Sequence, residues 1–257
     1  MDLHLGNKVI IVTGGAKGIG EAIVRLLAEE KAIPVIIDKD EVAAKKLVSD
    51  IPSKTLVLSA NLNSPESCEQ VIAEVVKQLG RIDGLVNNAG INDGVGLEKG
   101  TPSKFLESFT NNAGHYYHMA HFGLPYLKIN KGSIVNISSK TALTGQGNTS
   151  GYAGAKGAIL AFTREWAVEL LPYSIRVNAI VPAEVWTPLY KSWIQTFANP
   201  EEKLKSINLH IPFEKRMTTA NEIANMAVFL LSDRASHITG QWMHVDGGYV
   251  HLDRAIN

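Results

Sequence analysis

Three side chains in one stretch of this chain could do chemistry together. Tyr152 and Lys156 are four residues apart in SGYAGAKGAILAF, and that spacing puts them on one face of a helix. An ammonium beside a phenol favours the phenolate, so the pattern predicts a Tyr152 pKa brought down from about 10 toward the range of a proton-transfer catalyst. Ser139 lies thirteen positions before Tyr152, at the end of the apolar run GSIVNISS, and could aim its hydroxyl at the same spot across the polar loop KTALTGQGNT. A hydroxyl donor, a tunable phenol and a fixed cation are what reversible interconversion of an alcohol and a carbonyl needs. A tyrosine and a lysine at helical spacing are also ordinary surface composition, so the weight falls on what positions them.

The start of the chain supplies a frame. KVIIVTGG, residues 8–15, reads as a buried parallel strand, and Ile19, Ala22, Ile23, Leu26 and Leu27 follow it at helical spacing. Gly14, Gly18 and Gly20 therefore fall on a strand-to-helix turn, where glycines let backbone approach a pyrophosphate held by the helix N-terminus. The spacing is G-x-x-x-G-x-G rather than the commoner G-x-G-x-x-G of dinucleotide folds. IPVIIDKD, residues 33–40, is the second strand, closed by Asp38 about 20 residues beyond the turn. An acidic side chain there accepts hydrogen bonds from the adenosine ribose of NAD and repels the 2′-phosphate of NADP. The same aspartate would suit a helix N-cap, and Lys17 and Lys39 flank the pocket, so NAD is expected while NADP stays open.

A helix around 41–50, the strand TLVLSAN, a helix over 65–79 and the strand IDGLVNNAG continue the alternation. It calls for an α/β protein with a doubly wound parallel sheet, right-handed crossovers and helices on both faces. Asn87-Asn88-Ala89-Gly90 then falls on the carboxyl edge, where ligands bind in open α/β sheets, and Asn61 reaches the same edge near the adenine. Residues 103–129 read as one long helix in which Asn111 and Asn112 are unfavourable unless their side chains hydrogen-bond. His115, His118 and His121 share no single face well and have no carboxylate or cysteine ligand nearby, which argues for packing and against a metal centre. IRVNAIVP is the sixth strand, and the stretch 186–210, rich in Trp, Tyr, Gln and Asn, reads as a substrate lid or an interface segment. A helix near 219–232, the strand WMHVDGG and the tail YVHLDRAIN complete a single domain over 1–257.

Composition narrows the classes of function. Lys and Arg together number 25, Asp and Glu also 25, and no block of like charge stands out. A nucleic-acid or membrane-surface role needs a basic footprint and is disfavoured. The single cysteine, Cys68, cannot form an internal disulfide. MDLHLGNK lacks a signal peptide's apolar core, and no apolar run approaches membrane-spanning length, so a soluble, cytoplasmic protein is expected.

With Thr13-Gly14 through Gly20, Asn87 to Gly90, Ser139, Tyr152-x-x-x-Lys156, and Pro182 with Thr187 in this order, the chain resembles the short-chain dehydrogenase/reductase family from end to end. The resemblance implies a Rossmann-like seven-stranded sheet, assembled as a homotetramer through the long helices. It also implies a tetrad in which Tyr152 transfers the proton, Ser139 holds the substrate oxygen, and Lys156 binds ribose and lowers the tyrosine pKa. The fourth member is an asparagine of the long helix, anchoring a water that relays protons to Lys156. Counting back from Pro125, which matches a proline the family often has late in this helix, gives Asn112, with Asn111 as runner-up. The cofactor contacts so implied are Gly14, Lys17, Gly18, Ile19, Gly20, Asp38, Asn61, Leu62, Asn88, Ala89, Gly90, Pro182, Val185 and Thr187, with Tyr152 and Lys156. Two positions depart from the family's habit: Asn61 replaces an acidic residue, and Ala183 replaces the glycine usual after the sixth-strand proline.

The phrases VNNAGINDGVGL, NISSKTALTGQGNTSGY and PAEVWTPLY are closer still to a bacterial branch of sugar dehydrogenases. That likeness implies oxidation of the C1 hydroxyl of an aldopyranose to the lactone, with hydride passing to the nicotinamide. His115, Gln146, Asn148 and Glu184 could bond sugar hydroxyls, Ser139 and Tyr152 would meet the reacting oxygen, and Trp186 could cover an apolar sugar face. A reductase of 3-oxoacyl-carrier-protein type and a non-catalytic nucleotide-binding protein are the alternatives.

Overall fold

The Val- and Ile-rich runs form the strands expected of them. In the computed structural model, which describes residues 2–252, seven strands make one parallel sheet; Met1 and the end of the expected tail, 253–257, lie outside the described residues. The strands are β1 (Val9–Thr13), β2 (Ile33–Ile37), β3 (Leu56–Leu58), β4 (Gly84–Asn87), β5 (Ser133–Ile137), β6 (Arg176–Pro182) and, last in the chain, β9 (Trp242–Val245). Their order is 3-2-1-4-5-6-9, and each neighbouring pair is parallel. A separate two-stranded ladder joins β7 (Val185–Trp186) to β8 (Thr218–Thr219).

Side chains alternate between the two faces of the sheet, as a strand's period of two requires. Ile10 and Val12 join one core with Ile23 and Leu27 of α1 (Gly18–Glu29) and Ile223 and Val228 of α9 (Ala220–Leu231). Val9 and Ile11 join the other, with Val75 of α3 (Pro65–Leu79), Met119 of α5 (His115–Asn130) and Ile159 of α6 (Ser150–Glu169). Local signals set the helix ends. Asp40 caps α2 (Glu41–Ser49) by accepting from the Ala43 N–H, Ser64 caps α3 ahead of Pro65, and Thr219 with Glu222 forms a capping box on α9.

Two departures from the sequence-based elements matter for the site. The long helix expected over 103–129 is α4 (Pro102–Phe109), a π turn (Thr110–Gly114) and α5 in succession, with the π turn at the two asparagines. The stretch 186–210 folds mainly as two short helices, α7 (Pro188–Ile194) and α8 (Pro200–Leu209). The winding reverses between β1 and β4, and the crevice at their carboxyl ends holds the glycine turn and Asn88 to Gly90. Among the described residues no helix is long and apolar enough to cross a membrane.

Candidate active site

The glycine turn and the end of β4 are built as one unit. The Thr13 hydroxyl accepts from the N–H groups of Asn88 (2.9 Å) and Ala89 (3.2 Å) and donates to the Val86 carbonyl (3.3 Å). The Asn88 side-chain amide donates to the carbonyls of Thr13 and Gly14 at 2.9 and 3.1 Å, so it holds the turn in shape. Gly14 has a φ of 63°, and a Cβ on Gly20 would stand 2.0 Å from the Gly14 oxygen. Only glycine allows α1 so close to the turn.

The groove beside that turn fits an anionic dinucleotide. Lys17 is the N-cap of α1 but makes no side-chain cap bond, so the helix opens with N–H groups available to a phosphate. Asp38 stands across the turn, with Oδ2 accepting from the Ala16 N–H (3.0 Å) and Oδ1 from the Asp40 N–H (2.9 Å). Lys17 is paired with Asp40 at 2.5 Å, and the pairing raises its pKa. A Cβ on Gly18 would lie 3.4 Å from Thr187, which places the start of α7 against the turn. Pro182 ends β6, and Val185 is buried. Ile19 packs on the first core from the mouth of the groove. Asn61 is exposed, its Oδ1 accepting from the Asn63 N–H at 3.2 Å, whereas the Leu62 side chain joins the second core and leaves only backbone to a ligand.

At the other end of the groove, α6 delivers Tyr152 and Lys156 beside Ser139. Tyr152 is half-buried, and its hydroxyl lies under the influence of the Ser139 side chain. The Ser139 oxygen also accepts from the Thr141 N–H (3.3 Å) and hydroxyl (3.1 Å), as cap of a short 3-10 turn over 140–142. Lys156, 2% exposed, donates to the Ile137 carbonyl (2.8 Å) and the Tyr116 hydroxyl (3.0 Å); its Nζ is 5.6 Å from the centre of the Tyr152 ring. The lowered Tyr152 pKa expected from the helical spacing is not found. Burial pushes the phenol up to about 12 against the pull of Ser139, because the ammonium turns to Ile137 and Tyr116. Burial likewise brings the Lys156 ammonium down to about 7.

The π turn sends the two asparagines in opposite directions. Asn112 is buried, its Oδ1 accepting from the Ile91 N–H (2.8 Å) and its amide donating to the Ser108 carbonyl (2.9 Å). A Cβ on Gly90 would sit 2.9 Å from Asn112 Oδ1 and 3.5 Å from Lys156 Nζ, so these three residues adjoin. Asn111 turns outward and accepts from the Asn63 side chain at 2.5 Å.

The residues expected to meet a sugar are distributed unevenly. Glu184 accepts from the Tyr190 hydroxyl at 2.8 Å and pairs with Lys140. Trp186 is 36% exposed and faces Tyr190, their ring centres 6.3 Å apart. Gln146 and Asn148 are on the exposed loop leading to α6, with Asn148 in a left-handed conformation at φ 54°. His115 does not present itself to the cleft as expected. It is 2% exposed, its ring lies 4.9 Å from that of Tyr116, and burial with the Lys156 charge holds it neutral, down to about 3. His118 and His121 do not converge with it, His121 stacking on Tyr117 at 5.7 Å. Sequence reasoning missed Tyr116, which anchors Lys156, and Ser138, whose hydroxyl donates to the Lys156 carbonyl at 2.8 Å. It also missed Lys140. The signal for all three was their place, one residue from Ser139 or four from Asn112.

The chain is similar to known oxidoreductases over most of its length. A family described as enoyl-(acyl carrier protein) reductase matches residues 14–250. An L-fucose dehydrogenase from Bos taurus is 34% identical over 249 residues, which is 96% of this chain and 91% of that protein. A 3-oxoacyl-[acyl-carrier-protein] reductase from Thermotoga maritima is 33% identical over 96% of this chain and its own full length. A crystal structure described as Cj0485 dehydrogenase superposes with a TM-score of 0.96 at 49% identity, covering 100% of this chain and 99% of that one.

Proposed function

The chain belongs to the short-chain dehydrogenase/reductase family, an oxidoreductase family, and within it we propose that this protein oxidises the C1 hydroxyl of an aldopyranose such as L-fucose to the lactone. The observation that carries the enzymatic reading is the meeting of Tyr152 and Ser139 beside the buried Lys156, whose Nζ is 5.6 Å from the Tyr152 ring centre, at the end of the glycine groove. The sugar is supported by the likeness to L-fucose dehydrogenases and by the charged and aromatic residues over the cleft, Glu184, Trp186 and Tyr190. Asp38, with Lys17 already held by Asp40, favours NAD over NADP.

A bound nicotinamide dinucleotide supplies the hydride acceptor and, in its oxidised form, a positive charge. Gly14, Gly18, Gly20, the α1 N-terminus and Asp38 would hold it. Ser139 gives the substrate oxygen a preplaced partner, a kind of contribution worth a few kcal/mol where charge develops in a dry site. Tyr152 takes the hydroxyl proton, and Lys156 with Asn112 lies on its inner side as the route by which that proton leaves. Phe105, Leu106, Tyr117 and Val168 leave apolar surface exposed on α4, α5 and α6, in keeping with a homotetramer built on those helices in the cytoplasm.

The test is direct. Purified protein is given L-fucose, L-galactose, D-arabinose and L-rhamnose with NAD⁺ and NADP⁺ separately, and reduced nucleotide is followed. Silence on every sugar would remove this reading. The relative from Thermotoga maritima supports a rival one, and turnover of an acetoacetyl thioester with NADPH in place of the sugars would establish it. Tyr152→Phe should lower turnover by about 10²–10⁴-fold while the protein still binds the cofactor.

A further inference from the structure

Lys140 and Glu184 form an ion pair in the protein interior, with side chains 8% and 15% exposed. Four separate segments meet there. Lys140 is the residue after Ser139, Glu184 follows β6, Tyr190 of α7 donates to Glu184 Oε2 at 2.8 Å, and the Tyr249 ring centre lies 4.0 Å from the Lys140 ammonium. Burying such a pair gains little stability, because apolar residues of similar volume commonly do as well or better. A charge pair kept one residue from the reacting groups therefore asks for a ligand.

The chemistry of the pair suits a hydroxyl group. An ammonium has three N–H donors and a carboxylate about four acceptor sites, so one alcohol can accept from Lys140 and donate to Glu184 while the pair stays joined. Trp186 and Tyr190 place aromatic surface beside these polar atoms, which suits a ring with a polar edge and an apolar face. We infer that Lys140 and Glu184 bind a ring hydroxyl of the substrate on a carbon other than the one oxidised, and so select a polyhydroxylated pyranose over an apolar alcohol. This rests on the sugar-oxidising reading above.

The experiment is steady-state kinetics of Lys140→Met, Glu184→Gln and the double variant K140M/E184L on the best sugar and on its mono-deoxy analogues. Each single variant should lose about 10- to 100-fold in kcat/KM for the parent sugar, mostly through KM, with the KM for the nucleotide unchanged. On one deoxy analogue, the one lacking the hydroxyl in question, wild type and variant should have similar kcat/KM. The double variant replaces charge by apolar volume and leaves only the partly buried Tyr190 hydroxyl without its acceptor, so it should fold with a Tm close to that of the wild type, yet show the same loss. Equal losses on every analogue, or a loss confined to kcat or to the nucleotide, would mean that the pair only positions Ser139 and would overturn the inference. If the wild type oxidises no sugar, the reading it rests on falls as well, an outcome distinct from a wild type that works and variants that lose all sugars alike.

Discussion

Replacing Lys156 by methionine should stabilise this protein while removing its activity. The ammonium is 2% exposed, and burial holds its pKa at about 7 against an ordinary value of 10.5. A depression of that size corresponds to a destabilisation on the order of 5 kcal/mol in the charged form. Between pH 7 and 10.5 the unfolded chain binds one more proton at this residue than the folded one. Its contribution therefore makes stability rise by about 1.4 kcal/mol per pH unit in that window, with the full penalty present below pH 7. Tyr152 acts in the opposite sense: a phenol raised from 10.0 to about 12 keeps its proton in the native state, so stability falls between those pH values. Methionine keeps most of the lysine stem, and the Ile137 carbonyl still accepts from the Tyr116 hydroxyl at 2.9 Å, so no buried group is orphaned. Setting the two lost hydrogen bonds against the relieved penalty leaves a gain of about 2–4 kcal/mol at pH 7 and none by pH 10. Denaturant unfolding of both proteins at pH 6, 7.5 and 9, at one protein concentration, measures the difference. A variant whose advantage is the same at all three pH values, or which is less stable at pH 6, would refute the account of Lys156 as a desolvated cation.

Other positions make separate claims. Gly90→Ala puts a Cβ 2.9 Å from Asn112 Oδ1, which must shift off the Ile91 N–H; kcat should fall by about tenfold or more, a larger change than that in the nucleotide KM. Asp38→Asn keeps one of the two backbone bonds, since its amide nitrogen cannot accept from the second N–H, and removes the charge, so the ratio of kcat/KM with NAD⁺ to that with NADP⁺ should drop by about tenfold; an unchanged ratio would show that Asp38 does not face the ribose. Cys68 is buried, its thiol donating to the Leu62 carbonyl at 3.3 Å and pushed up to about 11, so the native protein should resist a disulfide reagent at pH 8 and react fully only in denaturant.

Much of this architecture was legible because parallel strands buried on both faces leave a plain record, and runs such as VIIVT and PVII have no other comfortable place. The glycine turn was legible for a related reason, since Gly14 takes a positive φ and Gly20 lies against the Gly14 backbone six residues before it. What escaped depends on contacts distant in sequence. Counting back from Pro125 points to Asn112, which the structure buries, but helical periodicity alone could not separate it from Asn111, because the π turn resets which side chain faces inward. The partners of Lys140 and Lys156 lie 44 and 40 residues away, at Glu184 and Tyr116.

The Tyr152–Lys156 pair shows where the helical rule stops. Spacing by four fixes where two Cβ atoms lie, but a lysine stem is long enough to choose among acceptors around it. Inside a protein that choice goes to buried acceptors within its reach, here a strand-end carbonyl and a phenol oxygen. The ammonium is thus anchored from below by β5 and α5, and it is Ser139 that draws the Tyr152 pKa down against burial. A phenol held near 12 in the protein by itself is a poor base at neutral pH, so the proposed proton transfer requires positive charge brought in with the ligands. Turnover and cofactor binding should then share one pH dependence, and a Tyr152 ionisation seen by ultraviolet difference titration should move down when oxidised nucleotide binds and stay near 12 when it does not.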